Sequence, residues 1–199
     1  MPTKAERTTQ YIIETVAPLF NQRGYSATSL SDITSAVGLT KGAIYGNFKN
    51  KEELALKAFE HNKGLLILAI NEAVNQSDNP KDKLFAFTDF YAHYNLFSDP
   101  IGGCPILNVG VDSNQTNPEL LEAVRETINE IRTIITAILE EGEHSKAFHI
   151  PIKASQFARQ LFTMIMGAVS MATITQDVKF LKNTVAYINL LIEKEINKN

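Results

Sequence analysis

Apolar residues recur along this chain with the period of amphipathic helices and nowhere alternate over a strand's length, so the pattern predicts an all-α protein. In the first run Ile13, Val16, Ala17 and Phe20 fall at i, i+3, i+4 and i+7, and Gly24 follows as the stop. This predicts a helix over residues 3–23, kinked where Pro18 removes one backbone hydrogen bond. Leu30, Ile33 and Val37 share one face of a short helix over 30–37, with Thr28 or Ser29 as its N-cap and Asp32 placed to complete a capping box with Ser29. Gly38 then allows a sharp left-handed turn, and Leu39 plugs the corner. Thr40 caps a third helix over 41–48 whose Ile44 and Phe48 face inward, and Asn50 with Glu53 starts a fourth that runs from Lys51 into the seventies.

The rest of the chain continues the helical pattern. A fifth helix after Pro80 carries Leu84, Phe85, Phe87, Phe90, Tyr91, Tyr94 and Phe97, a dense aromatic stripe. Pro100, Gly102, Gly103 and Pro105 then isolate a short helix between loops, and Pro118 opens a helix to about Glu141. Two helices follow a polar loop, over 152–175 and 178–196, making about nine in all. The first is apolar almost all round from Leu161 to Ile174; the second carries Leu181, Val185, Ile188, Leu191 and Ile192 on one stripe. Helices so apolar need cover on more than one face, and the simplest cover is the same pair from a second copy. The expectation is a homodimer through these two C-terminal helices, with a fully intramolecular core as the alternative.

The face of the 41–48 helix turned away from Ile44 and Phe48 carries Lys41, Gly42, Ala43, Tyr45 and Asn47. An outward glycine does nothing for a helix stabilised by its own surface, but it lets the backbone approach a groove floor closely. Two short helices joined by a glycine turn, the second of this kind, read as a helix-turn-helix, and the partner this predicts is double-stranded DNA. On this reading Lys41, Gly42, Ala43 and Asn47 meet base edges or the groove floor, while Thr28, Ser29, Thr40, Tyr45 and Lys51 meet phosphates. Plainer alternatives stand beside three of them: Tyr45 packs between helices, Lys51 is merely solvated, and Asn47 ends the helix.

The formal net charge of −3 argues against a nucleic-acid partner until its distribution is considered. Residues 1–63 carry eight Lys/Arg against six Asp/Glu, whereas 64–199 carry eleven against sixteen, and Lys41 to Lys51 contains three lysines and no acid. A local basic patch on an acidic molecule binds phosphate while limiting non-specific adhesion. Hydrophobic content of 44% and charged content of 21% are those of an ordinary globular protein. The single cysteine, Cys104, excludes an intrachain disulfide and agrees with a reducing compartment. No uninterrupted apolar run reaches 18 residues and no secretory core follows Lys4 and Arg7, so the expected location is the cytoplasm, with no membrane partner. No nucleophile elbow, phosphate loop, paired-histidine motif or dinucleotide fingerprint is present, and the expectation is no enzyme, no catalytic residues and no cofactor. The four histidines are scattered, and the acids around His144 read as a solvated helix end, so no metal site is expected.

The run from Thr28 to Leu54, TSLSDITSAVGLTKGAIYGNFKNKEEL, resembles the DNA-binding domain of the TetR/AcrR family of bacterial transcription regulators, and the likeness extends over roughly residues 6–60. It departs from the family pattern at Gly46 and Asn47, where relatives often carry a Tyr or His pair, so no relative's base preference transfers. The resemblance implies a DNA-binding domain over 1–50 and a helical ligand-binding and dimerisation domain over 51–199. It further implies a dimer on a palindromic operator, most often as a repressor, released by a small-molecule effector. An apolar or aromatic effector would suit a cavity lined by Leu65, Leu68, Phe87, Phe90, Tyr91, Tyr94 and Phe97, with Tyr91, His93, Tyr94 and Asn108 orienting it. The same stripe also fits plain core. Cys104, in a glycine-flanked GGCPI segment at a helix start, fits either a small buried residue or a sensor of oxidants and electrophiles. A ligand-independent architectural DNA-binding protein is the remaining alternative.

Overall fold

The computed structural model describes residues 2–196, without the side chain of Glu195; Met1 and residues 197–199, the end of the expected body domain, lie outside the described residues. Helix α1 (Lys4–Arg23) starts on a capping box in which Thr3 Oγ1 accepts from Glu6 N–H at 3.2 Å and Glu6 Oε2 accepts from Thr3 N–H at 2.6 Å. It buries Ile12, Ile13, Val16, Ala17 and Phe20, contains Pro18, and ends where Gly24, at φ 84°, donates to the Phe20 carbonyl. Helix α2 (Leu30–Val37) matches its expected bounds, and Gly38 at φ 66°, ψ 23° closes it in the left-handed conformation.

Helix α3 (Lys41–Tyr45) is shorter than the expected 41–48. The cause is local. Asn47 Nδ2 donates to the Ala43 carbonyl at 2.7 Å, the acceptor that the Asn47 N–H would use in a continuing helix, and that N–H turns to Ile44 instead. Phe48 is nevertheless buried, as its inward register requires. Helix α4 (Lys51–Val74) begins where Asn50 Oδ1 accepts from Glu53 N–H.

The expected aromatic helix running to Phe97 is two helices, α5 (Pro80–Ala92) and α6 (Tyr94–Ser98), parted at His93, whose φ of −113° and ψ of 18° leave the helical region. A 3₁₀ turn (Asp99–Ile101), α7 (Pro105–Ser113), α8 (Pro118–His144), α9 (Ala154–Thr175) and α10 (Lys179–Glu195) complete the described chain, which contains ten α-helices rather than nine.

The described residues form two compact units. The first, the reader unit, runs to Leu66 and takes in Phe97–Thr127 as well, so it holds α1–α3, the first part of α4, the 3₁₀ turn, α7 and the start of α8. Its core includes Ile12, Val16, Ile33, Ile44, Leu54 and Leu120. The second, the body unit, comprises Ile67–Leu96 and the residues from Ile128 on, around a core of Leu84, Phe87, Tyr91, Ile135, Leu161 and Ile165.

Within the body unit α10 packs on both α9 and α5. Leu181, Val185, Ile188 and Ile192, expected to meet a second copy, are therefore buried inside their own chain, because α5 supplies the layer that the helical pattern alone did not count. A different stripe is left outside: Gly167, Met171 and Ile174 on α9, with Phe180, Tyr187 and Leu190 on α10. Helix α9 is long and apolar enough to cross a membrane by length and composition alone, but Phe157, Leu161, Phe162, Ile165 and Val169 bury one side of it in this unit.

Candidate DNA-recognition site

The helix-turn-helix is assembled from interlocking caps. Ser29 is the N-cap of α2: its Oγ accepts from Asp32 N–H at 3.1 Å, and Asp32 Oδ2 accepts from Ser29 N–H at 2.8 Å. The Ser29 hydroxyl, and after it the Ser29 N–H, hold the Asp32 carboxyl below the usual carboxylate range. Thr40 Oγ1 accepts from Ala43 N–H at 3.2 Å and starts α3. Ile44 and Phe48 fix the inward side of α3, which leaves Lys41 and Gly42 exposed, Ala43 half-buried and Tyr45 39% exposed. Lys41 Nζ lies 5.8 Å from the centre of the Tyr45 ring, so the outer face presents one cation, one phenol and a strip of small residues.

Besides the capping bonds of Ser29 and Thr40, three more of the expected contact residues have internal partners. Thr28 is wholly buried and its hydroxyl donates to the Gly24 carbonyl at 2.7 Å. Asn47 bridges α3 to α1: besides its bond to Ala43, its Oδ1 accepts from the Thr9 hydroxyl at 2.8 Å. Lys51 Nζ donates to the Tyr25 carbonyl at 2.6 Å and sits 4.3 Å from the centre of the Tyr25 ring, and burial lowers the pKa of its ammonium against the pull of Glu52 and Asp112. Lys41 and Lys49 are the lysines of this segment that stand exposed.

Tyr25 emerges as a centre of this site without having been singled out in the sequence. Its hydroxyl donates to Glu52 Oε1 at 2.6 Å; burial, then the bond to Glu52, raises the pKa of the phenol well above the ordinary tyrosine range. Its ring lies under Lys51 and 6.1 Å from that of Phe20. The local signal for it is slight: one aromatic residue directly after the helix-stopping Gly24.

Residues 12–58 match the family model for bacterial regulatory proteins of the tetR family, and residues 80–188 match that for the tetracyclin repressor-like C-terminal domain. The chain belongs to the TetR family. This TetR-family chain is 26% identical over 185 residues to the fatty acid metabolism regulator protein of Bacillus subtilis, covering 92% of this chain and 90% of that one. A TetR-family transcriptional regulator from Cytophaga hutchinsonii superposes with a TM-score of 0.91 at 30% identity over the whole of both chains. A second, from Chloroflexus aurantiacus, gives 0.92 at 32%, covering 97% of this chain and 98% of that one. The protein is thus a DNA-binding transcriptional regulator and not an enzyme.

The candidate effector residues of this TetR-family protein fall in both units. In the body unit Phe87 and Tyr91 are fully buried and Tyr94 nearly so, and the rings stack in sequence: Phe87 to Tyr91 at 5.2 Å, Tyr91 to Tyr94 at 5.0 Å, with Phe90 edge-on to both tyrosines. Phe162 of α9 meets Tyr91 at 6.2 Å. Leu68 is exposed on α4, and His93 is exposed at the end of α5 with its Nδ1 3.1 Å from the Asp89 carbonyl. In the reader unit Leu65 is exposed on α4, Phe97 is half-buried, and Cys104 is buried at the N-cap of α7. Asn108 donates to the Asn21 carbonyl at 3.0 Å and to the Gly102 carbonyl at 3.3 Å.

The reader unit also holds a small, partly open pocket among Phe20, Asn21, Phe59, Asn62, Val109 and Leu120, none of them a candidate effector residue. Asn62 Nδ2 donates to the Ala17 carbonyl at 3.1 Å beside it.

Proposed function

We propose that this TetR-family regulator binds a pseudo-palindromic operator as a homodimer, represses transcription there, and is released by a small apolar or aromatic effector. Residues 1–50, part of the first compact unit, act as the DNA-contacting domain and 51–199, which contribute to both units, as the effector-binding and dimerisation domain, working in the cytoplasm where the DNA lies. The observation that carries this reading is the outward face of α3. Lys41 and Gly42 are exposed and have no packing role that would account for them, yet they suit a groove: the glycine admits close approach and the lysine reaches guanine. Ser29, Thr40 and Tyr45 flank that face and serve as phosphate contacts. Thr28, Asn47 and Lys51 act on DNA by holding the reader in shape, as their internal hydrogen bonds suggest.

The exposed stripe of Met171, Ile174, Phe180, Tyr187 and Leu190 supports a second copy as the partner. Paired readers would then meet half-sites about 34–36 Å apart, one helical turn of DNA. For the effector, the aromatic cluster of the body and the relative that regulates fatty acid metabolism both favour an apolar molecule. Movement of α4, which runs from one unit into the other, converts its binding into a change of reader spacing. Ile174, 72% exposed, gives the test. Ile174→Asp should sediment as a folded monomer and lose operator affinity; a folded monomer that binds the operator as tightly as the parent contradicts the dimeric reading.

A further inference from the structure

Asp112 lies on α7, within the reader unit, and its carboxylate is spent on the corner between α1 and α2. Oδ2 accepts from the Tyr25 N–H at 2.7 Å and more loosely from the Ser26 N–H at 3.4 Å, the first two amides after the helix stop at Gly24. The fit is close on this side: a Cβ built on Gly24 would stand 2.8 Å from Asp112 Oδ1, so the glycine is needed for contact as well as for its φ of 84°. From α4, Lys51 donates to the carbonyl of the same Tyr25. The corner is therefore gripped by its amides from α7 and by its carbonyl from α4.

Two more side chains fasten the same region. Asn21, near the end of α1, donates to the carbonyls of Ile101 at 2.8 Å and Gly103 at 2.7 Å, and Asn108 of α7 returns a bond to the Asn21 carbonyl. Backbone and side chain of one α1 residue are thus tied to the segment that leads into α7. None of these bonds touches the outward face of α3, yet together they set where α1 ends and how α2 leaves it.

We propose that Asp112 is a positioning residue for operator recognition: its carboxylate fixes the corner at residues 24–26, and with it the direction in which α2 and α3 leave α1. A displacement of α7 by the length of one hydrogen bond frees the Tyr25 and Ser26 amides and lets α2 and α3 tilt together. The proposal rests on α3 being the surface that reads DNA.

The test uses the full-length protein, a duplex enriched from a random pool, and a random-sequence duplex, with Lys41→Ala as a control on α3 itself. Asp112→Ala should speed hydrogen exchange at the Tyr25 amide and weaken binding to the enriched duplex, each by about tenfold, while affinity for the random duplex stays within about twofold. Asp112→Asn keeps an acceptor oxygen while losing the charge, and should recover most of both effects. Unchanged exchange at Tyr25, enriched-duplex affinity within about twofold of the parent, or equal losses on both duplexes would overturn the proposal. So would an Asp112→Asn protein as impaired as Asp112→Ala, since charge rather than geometry would then be responsible. If Asp112→Ala does not fold, the comparison of Asp112→Asn with the parent decides on the same readouts, recovery supporting and tenfold loss opposing. Should Lys41→Ala also leave binding unchanged, the fault lies with α3 as the reader and not with Asp112 alone.

Discussion

Tyr45 on α3 and Tyr91 on α5 are the same residue put to opposite ends. Tyr45 stands 39% exposed beside Lys41, on a face whose Gly42 is exposed and adds nothing to packing. Tyr91 has no exposed surface and touches four aromatic rings, those of Phe87, Phe90, Tyr94 and Phe162. Packing accounts for the Tyr91 ring, whereas no packing contact accounts for the exposed Lys41 and Gly42 of α3. A functional surface is legible where packing leaves residue choice unexplained, and the aromatic stripe of the body is opaque because packing already explains it.

The contrast can be broken most forcefully at its buried end. Tyr91→Ala should cost about 3–5 kcal/mol of stability in denaturant unfolding, the range for deleting a large core aromatic. A loss well under about 1 kcal/mol would mean that the ring lines open space rather than core. At the exposed end the effects should invert. Lys41→Ala should leave stability within about 0.5 kcal/mol but cost about 1–3 kcal/mol in operator binding, followed by fluorescence anisotropy. A stability loss without a binding loss would assign Lys41 to folding and erase the distinction.

The smallest effect concerns the cap of α2. Ser29→Ala should cost about 1 kcal/mol by thermal unfolding at neutral pH. The folded Asp32 pKa is depressed, so its contribution is present above the ordinary carboxylate range and is lost as pH falls through the lowered folded value. Removing the Ser29 hydroxyl removes the leading cause of that depression. The destabilisation of Ser29→Ala relative to the parent should therefore shrink on acidification, and a difference that stays constant from pH about 7 to about 2 would deny that the Ser29 hydroxyl stabilises the Asp32 carboxylate.

How much of this molecule could be read in advance follows the range of the interactions. Helix α2 was legible to the residue because Ser29, Asp32 and Gly38 signal its two ends within a few positions. The end of α3 was not, since the Asn47 side chain competes for the Ala43 carbonyl and the apolar period through Phe48 gives no hint of it. The break at His93 hid inside an unbroken aromatic stripe for the same reason. Pairings such as Asp112 with Tyr25 or Asn108 with Asn21 join residues 87 positions apart and leave no local trace. Asn108, read as a polar group for a guest, is engaged with backbone of its own unit. The periodicity of the C-terminal stripe shows that it needs cover, but that α5 of the same chain supplies it depends on tertiary packing that periodicity does not contain.

The claim on which the account depends is that α3, presented twice by a dimer, reads a defined DNA sequence. Selection of duplexes from a random pool by the purified protein, with the stoichiometry of the enriched complex, tests it most directly. The expected result is a pseudo-palindrome with half-site centres about one helical turn apart, bound by two protomers. Enrichment of no sequence, with only general salt-sensitive binding, would contradict it and favour a protein that holds DNA without reading it.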